Sequence, residues 1–384
     1  MKKRILSFAL CLVLLFGLVG VPVYAEEGTT SAFSVNAPAA VLMEAETGKI
    51  LYAQNENQAL PPASVTKVMT LLLIMEALEK GKIAWDSTVT VSARAASMGG
   101  SQIFLEEGEQ MTVEDLVKSV VIASANDAAL ALAEFVAGSE EAFVALMNTR
   151  AAELGMENTH FENTNGLDDT TENHIISAKD IAIMSRALIA YPEILRFSST
   201  WMDTIRDGAF TLTNTNRLVR FYPGANGLKT GSTAKAKFCI SATATRDGMT
   251  LIAVIMGAET RDIRNEEAKK LLDYGFANYG LYRREAVDMK ALTVKGGVTQ
   301  QVLTESEGFS AVLPKEKLSC VQSEVVLPEV LTAPITQGER LGCIAYYVDG
   351  EKIGESGIYS KAGVEKISFW VLFRHILSAF SLCE

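Results

Sequence analysis

Residues 236–258 read "AKFCISATATRDGMTLIAVIMGA". Two runs rich in small and β-branched residues flank Asp247-Gly248, a dipeptide suited to a two-residue hairpin turn because both positions tolerate positive φ. The stretch predicts two long antiparallel strands. Toward the N-terminus, "AAVLMEA" and "KILYAQN" predict a second hairpin around Thr47-Gly48. Between the hairpins the period is helical. Pro61 and Pro62 precede a helix starting near Ser64. Thr112 and Asp115 form a capping-box pattern before "VEDLVKSVVIA". "NDAALALAEFVAG" closes at Gly138, and Ser139 and Ser177 start two more helices. Beyond the second hairpin, "RNEEAKKLLDYGFANYG" predicts an amphipathic helix. Strands from both ends with helices inserted between them predict an α+β fold built on an antiparallel sheet.

From Leu281 to Lys361 the runs shorten to "ALTVKG", "AVLPKE" and "SEVVLPEV", broken by Gly, Pro and charge, which predicts a small all-β domain. The tail, "VEKISFWVLFRHILSAFSLCE", predicts an amphipathic helix. Phe369, Leu372, Phe373, Ile376, Leu377 and Phe380 share one face, with Arg374, Ser378 and Ser381 on the other side. Its apolar stretch falls short of the roughly 20 residues needed to span a bilayer. It therefore reads as lying in the headgroup region, with docking on the β domain as the alternative. The N-terminus reads as an export signal: "MKKR", an apolar run, and "VYA" before cleavage after Ala25, an uncleaved anchor being the alternative. The expected division is 1–25 signal peptide, 26–280 catalytic domain, 281–361 β domain and 362–384 membrane-surface helix.

The formal net charge of −11 excludes a nucleic-acid partner, which would demand clustered Lys and Arg. With 48% hydrophobic residues, a large core is available. Past the signal, Cys239, Cys320, Cys343 and Cys383 are too few and too scattered for a disulfide scaffold, and a Cys320–Cys343 bond stays open. Three histidines without metal-ligand spacing lead to the expectation of no metal and no cofactor.

Three short motifs carry chemistry. Ser64 and Lys67 lie three apart on a helix start surrounded by Val65, Val68, Met69, Leu71 and Leu72. An amine in such dry surroundings loses its charge readily and becomes a general base beside a hydroxyl nucleophile. A surface lysine is the plainer alternative, and Ser232 and Lys235 repeat the spacing. Ser124 and Asn126, in "SAN", interrupt two helical runs; a proton relay and a substrate-amide contact compete with simple capping, and Ser34-Val35-Asn36 repeats that pattern too. Lys229-Thr230-Gly231 opens a strand whose edge is able to pair with an extended peptide.

In this order, Ser-x-x-Lys on a helix, Ser-x-Asn at a helix junction and Lys-Thr-Gly on a strand are the set shared by penicillin-binding proteins and class A β-lactamases. With "PPASVTKVMT", "ASMGGSQIFLEEGEQMTVEDLV", "SANDAALALAE", "NTNRL" and "GLKTGSTAKAKFCISATA", the chain from Ala39 onward resembles the low-molecular-mass penicillin-binding proteins, serine-type D-alanyl-D-alanine carboxypeptidases. The resemblance implies Ser64 as acylated nucleophile, Lys67 as its base, and Ser124 and Asn126 in the proton network. Lys229, Thr230 and Gly231 bind substrate, and Ser232 joins Ser64 in supplying the oxyanion-hole amides. It further implies peptidoglycan stem peptides ending in D-Ala-D-Ala as substrate and β-lactams as covalent inhibitors. The expected location is the outer face of the bacterial cytoplasmic membrane. Relatives often carry Asn-Arg-Asn where this chain has Asn214-Thr215-Asn216, which leaves the role of Arg217 open. His174 is expected to be a solvated loop residue, with a place bordering the site as the alternative; Met98 and Phe104 are expected to pack a loop over the cleft, and Trp85 and Trp201 to be packing residues rather than a substrate platform. A class A β-lactamase would add a deacylating glutamate and end near "AKKLLDYGF", whereas about a hundred residues follow here. A non-catalytic β-lactam-binding wall protein would lack the nucleophile or the base, and both are present.

Overall fold

The computed structural model describes residues 33–169 and 171–381. The signal and its cleavage site, Cys11, Cys383 and the side chains of Phe380 and Ser381 lie outside the described residues. A five-stranded antiparallel sheet comprises β1 (Ala39–Glu44), β2 (Ile50–Gln54), β3 (Ala225–Thr233), β4 (Lys237–Arg246) and β5 (Met249–Ala258). Its order is β2-β1-β5-β4-β3, so the two expected hairpins sit side by side and β3 is an edge strand. The two-residue period of a strand separates two cores. Val41, Met43, Ile252, Val254 and Met256 join the inserted helices, while Leu42 and Leu251 meet Gly275 on the other face.

The longer inserted helices are α1 (Lys67–Glu79), α2 (Val113–Ile122), α3 (Asn126–Ala137), α4 (Glu140–Glu153) and α5 (Ala178–Leu188); α6 (Arg261–Asn278) follows the sheet. Their starts are capped where the sequence indicates, because a short hydroxyl side chain satisfies a free first-turn amide. Thr112 accepts from Asp115 N at 3.1 Å, Ser139 from Ala142 N at 3.2 Å and Ser177 from Asp180 N at 3.1 Å. Gly138 ends α3 at φ +84, a conformation glycine adopts without steric cost. Two starts differ from expectation. A 3₁₀ turn, Ala63–Thr66, precedes α1, so Ser64 sits in the turn and Lys67 opens the α-helix. Thr260 caps α6 earlier than Arg264, which places Arg264 in its first turn.

The β region consists of β6 (Tyr279–Arg284), β7 (Val287–Lys295), β8 (Gln301–Ser306), β9 (Phe309–Pro314), β10 (Gln322–Val326), β11 (Leu331–Thr332), β12 (Arg340–Val348) and β13 (Glu351–Ser360). β6 pairs with β9, and the other six form a sheet ordered β10-β12-β13-β8-β7-β11. Tyr346 stacks on Phe309 with ring centroids 3.9 Å apart. Packing continues through Val364, buried opposite Ile335. Only then does α7 (Phe369–Ser381) begin. Phe369 and Trp370 are 72% and 70% exposed, and Leu372, Phe373, Ile376 and Leu377 are exposed too, so α7 does not dock its apolar face on the β sheet. Among the described residues no helix is long and apolar enough to cross a membrane. Cys239, Cys320 and Cys343 are free thiols, so the Cys320–Cys343 bond is not made.

Candidate active site

Three elements converge on Ser64. The 3₁₀ turn holds it, the α2–α3 junction faces it with Ser124 and Asn126, and the edge strand β3 runs alongside. The approach of β3 is close enough to dictate a residue: a Cβ at Gly231 would lie 2.7 Å from Ser64 N and 2.8 Å from Pro62 O, so only glycine fits. Ser124 occupies positive φ (+63) at the junction, which turns its side chain out of the helical run.

Lys67 is wholly buried, and its Nζ meets three oxygens: Asn126 Oδ1 at 2.6 Å, Asn165 O at 2.9 Å and Ser64 Oγ at 2.9 Å. Burial, reinforced by the Lys229 charge and opposed by Asp127, pushes the Lys67 amine well below its ordinary range. A neutral amine has two N–H donors and one lone pair. The Asn126 and Asn165 oxygens can only accept, so they take the two N–H groups and leave the lone pair facing the Ser64 hydroxyl. That is the arrangement of a base poised on a nucleophile.

Lys229 is equally buried and donates to Ser124 Oγ and to Thr230 O, both at 2.8 Å. Burial, with the Arg264 charge nearby, lowers it to about 7. Thr230 donates to Thr215 Oγ1 at 2.8 Å. Asn214 and Asn216, on either side of Thr215, are buried and tie its loop to Thr200 O and Gly227 O. These groups open on a cleft of about 580 Å³ whose lining also includes Arg217, Arg261 and Arg264. Arg264 bonds to Asn265 Oδ1 and has no carboxylate partner among the described residues; burial and Arg261 bring it down to about 10. A buried guanidinium without a counter-ion, beside a lysine, makes a receptor for a carboxylate. Two other hollows, by Arg283 and by Trp85, bring no nucleophile and base together.

All eight residues singled out in the sequence lie around this cleft, and the decoy spacing is empty: Lys235 reaches Thr171 O instead of Ser232. Asn126 spends its amide on Lys67 and on Gly99 O (2.7 Å), which makes it part of the lysine's cradle. Several expectations need correction. His174 is 5% exposed because Phe161 and Thr66 cover it. Trp201 lines the cleft beside Phe221. Phe104 points to solvent with its ring edge-on to Phe210, whereas Met98 packs on the helical core. Trp85, by contrast, packs as expected, against Phe197. Sequence reading missed the Asn165 carbonyl, Thr215, Arg261 and Arg264. Of these, only "NTN" before Lys-Thr-Gly left a signal.

The sheet with its inserted helices is the penicillin-binding/β-lactamase-like fold. Residues 26–260 match a family described as D-alanyl-D-alanine carboxypeptidase, and residues 276–366 match the C-terminal domain of penicillin-binding protein 5. The chain is 45% identical over 375 residues to the D-alanyl-D-alanine carboxypeptidase DacF of Bacillus subtilis (strain 168), covering 96% of each. Penicillin-binding protein 5 from Haemophilus influenzae superposes with a TM-score of 0.77 at 33% identity, over 87% of this chain and 99% of that one. Penicillin-binding protein D2 from Listeria monocytogenes in its ampicillin-bound form gives 0.59 at 32%, over 64% and 99%. The chain belongs to the D-alanyl-D-alanine carboxypeptidase family.

Proposed function

We propose that this chain is a serine-type carboxypeptidase that removes the terminal D-alanine of peptidoglycan stem peptides through an ester on Ser64. The observation that carries the reading is the Lys67 amine, with both N–H groups taken and its lone pair toward Ser64 Oγ at 2.9 Å. Lys67 takes the hydroxyl proton as Ser64 Oγ bonds to the penultimate carbonyl carbon. The amides of Ser64 and Ser232 receive the oxyanion. As the C–N bond breaks, the proton passes to the leaving amine through the network that Ser124 and Asn126 complete. Water then hydrolyses the ester. Thr230, Lys229 and Arg264 hold the terminal carboxylate, and the free edge of β3 pairs with the peptide, with Gly231 keeping that edge clear.

Among the described residues no glutamate lines the cleft, which separates this reading from a class A β-lactamase. The expected division places the catalytic domain ahead of the β domain, with the N-terminal signal supporting export and α7 supporting attachment to the outer membrane surface. The test is to incubate the protein with a synthetic pentapeptide ending in D-Ala-D-Ala, and separately with labelled penicillin. Mass spectrometry should show loss of one alanine, and peptide mapping should place the adduct on Ser64. An adduct on another serine, or an unchanged pentapeptide, overturns the reading.

A further inference from the structure

The turn that carries Ser64 is strained at its first residue, since Ala63 has φ +49, a region non-glycine residues rarely enter. No side chain caps the turn or the following helix. Thr66, placed to cap α1, instead donates its hydroxyl back to Ala63 O at 2.9 Å. That hydroxyl has one proton, so its 2.7 Å contact with His174 Nε2 requires the imidazole to donate. Glu162 N donates to the other ring nitrogen, Nδ1, at 3.0 Å. The two partners therefore specify a neutral ring protonated at Nε2. Further ties bind the same loop to the start of α1, just after the turn: Lys67 to Asn165 O at 2.9 Å and Thr70 to Thr164 O at 2.6 Å. Gly166 presses so closely that a Cβ there would lie 1.8 Å from Ala63 O.

We infer that His174 is a positioning residue for Ser64, its neutral imidazole bolting the loop that holds Glu162 and Asn165 to Thr66 and through it fixing the strained Ala63 carbonyl. The inference rests on the reading of Ser64 as nucleophile. His174 touches neither substrate nor the reacting atoms; it acts by holding the turn from which the hydroxyl projects. Burial, aided by His160, lowers the ring to about 4 against the opposing pull of Glu162 and Asp168, so the bolt persists through the physiological range. Protonation would set an Nδ1–H against the Glu162 N–H and break the chain of bonds.

His174→Phe and Thr66→Val each cut this chain at a different link, with shapes close to the native ones. Each should slow acylation by labelled penicillin by about 10²-fold, the cost of a small misplacement of a reacting group, with non-covalent affinity unchanged within about twofold. Because both cuts sever one chain, the double variant should be no slower than the worse single variant. His174→Gln, which can still donate to Thr66, should recover part of the rate. Nitrogen chemical shifts of His174 at pH 6 should show the neutral ring protonated at Nε2. Melting curves identify a variant that fails to fold, and then His174→Gln, Thr66→Val and the wild-type nitrogen shifts decide. Wild-type acylation rates in the variants, multiplying effects in the double variant, or a charged ring at pH 6 overturn the inference. An adduct away from Ser64 in the wild type instead overturns the underlying functional reading.

Discussion

Lys67 and Lys229 are two buried amines, and the second acts on the first. The charge on Lys229 is one cause of the depressed Lys67 basicity, and the charge on Arg264 does the same to Lys229. Replacing Lys229 by Met keeps the length and removes the charge. The Lys67 pKa should then rise, so that at a given pH less of the amine is neutral. The acid limb of the acylation rate should move to higher pH, measured as rate against pH with labelled penicillin at saturation. A limb that stays in place would show that the amines do not sense each other. The eight motif residues were legible because each lies within a few positions of its motif partners, and local spacing survives folding. Asn165 was not legible because it contributes a backbone carbonyl, which every residue type offers. Arg264 was hidden at the start of a helix read only as amphipathic, and its burial depends on tertiary packing that local spacing does not reveal.

Among the elements, α7 departs furthest from ordinary packing, with six apolar side chains at least partly in solvent on one short helix. Exposed aromatic and aliphatic residues in that arrangement suit a lipid interface, where rings sit at the headgroup level. Truncation after Ser368 should shift the mature protein from the membrane to the soluble fraction and leave acylation of Ser64 unchanged. The cut must fall there because Val364 belongs to the β core and Ile367 N bonds to Gly296 O. Fractionation of cells producing the truncated chain checks this, and a truncated protein that stays with membranes rejects the role of the helix. The helical period of the tail was plain in the sequence, since it needs only local spacing. Whether that face was docked or free was not, because the answer depends on what the β sheet leaves uncovered. The same limit applies to Ser64: proline and apolar spacing announced a helix, but whether its first turn is 3₁₀ or α depends on how β3 and Gly166 press against it.

At the scale of the whole molecule, the β region is joined to the first hairpin by few polar contacts. Glu46, in the turn between β1 and β2, bonds to Arg283 and Ser310, and Lys49 Nζ donates to Val312 O at 3.1 Å. Exposed ion pairs contribute about 0–1 kcal/mol, so Glu46→Ala should leave the melting temperature nearly unchanged while increasing protease cleavage near Tyr279. Cleavage at the wild-type rate would show that the contact does not restrain the junction. The order of the sheet was inferable in outline, as antiparallel strands drawn from both ends. Its register was not, because pairing between distant segments leaves no local mark. That distant pairing also governs when the protein can fold. Ala39 waits for Met256, so β1 has no neighbour on that side until the whole helical insertion and the second hairpin have been made. Closing so large a loop is entropically slow. A chain emerging N-terminus first thus stays without its central sheet for most of its synthesis, its first strands waiting in a half-built state.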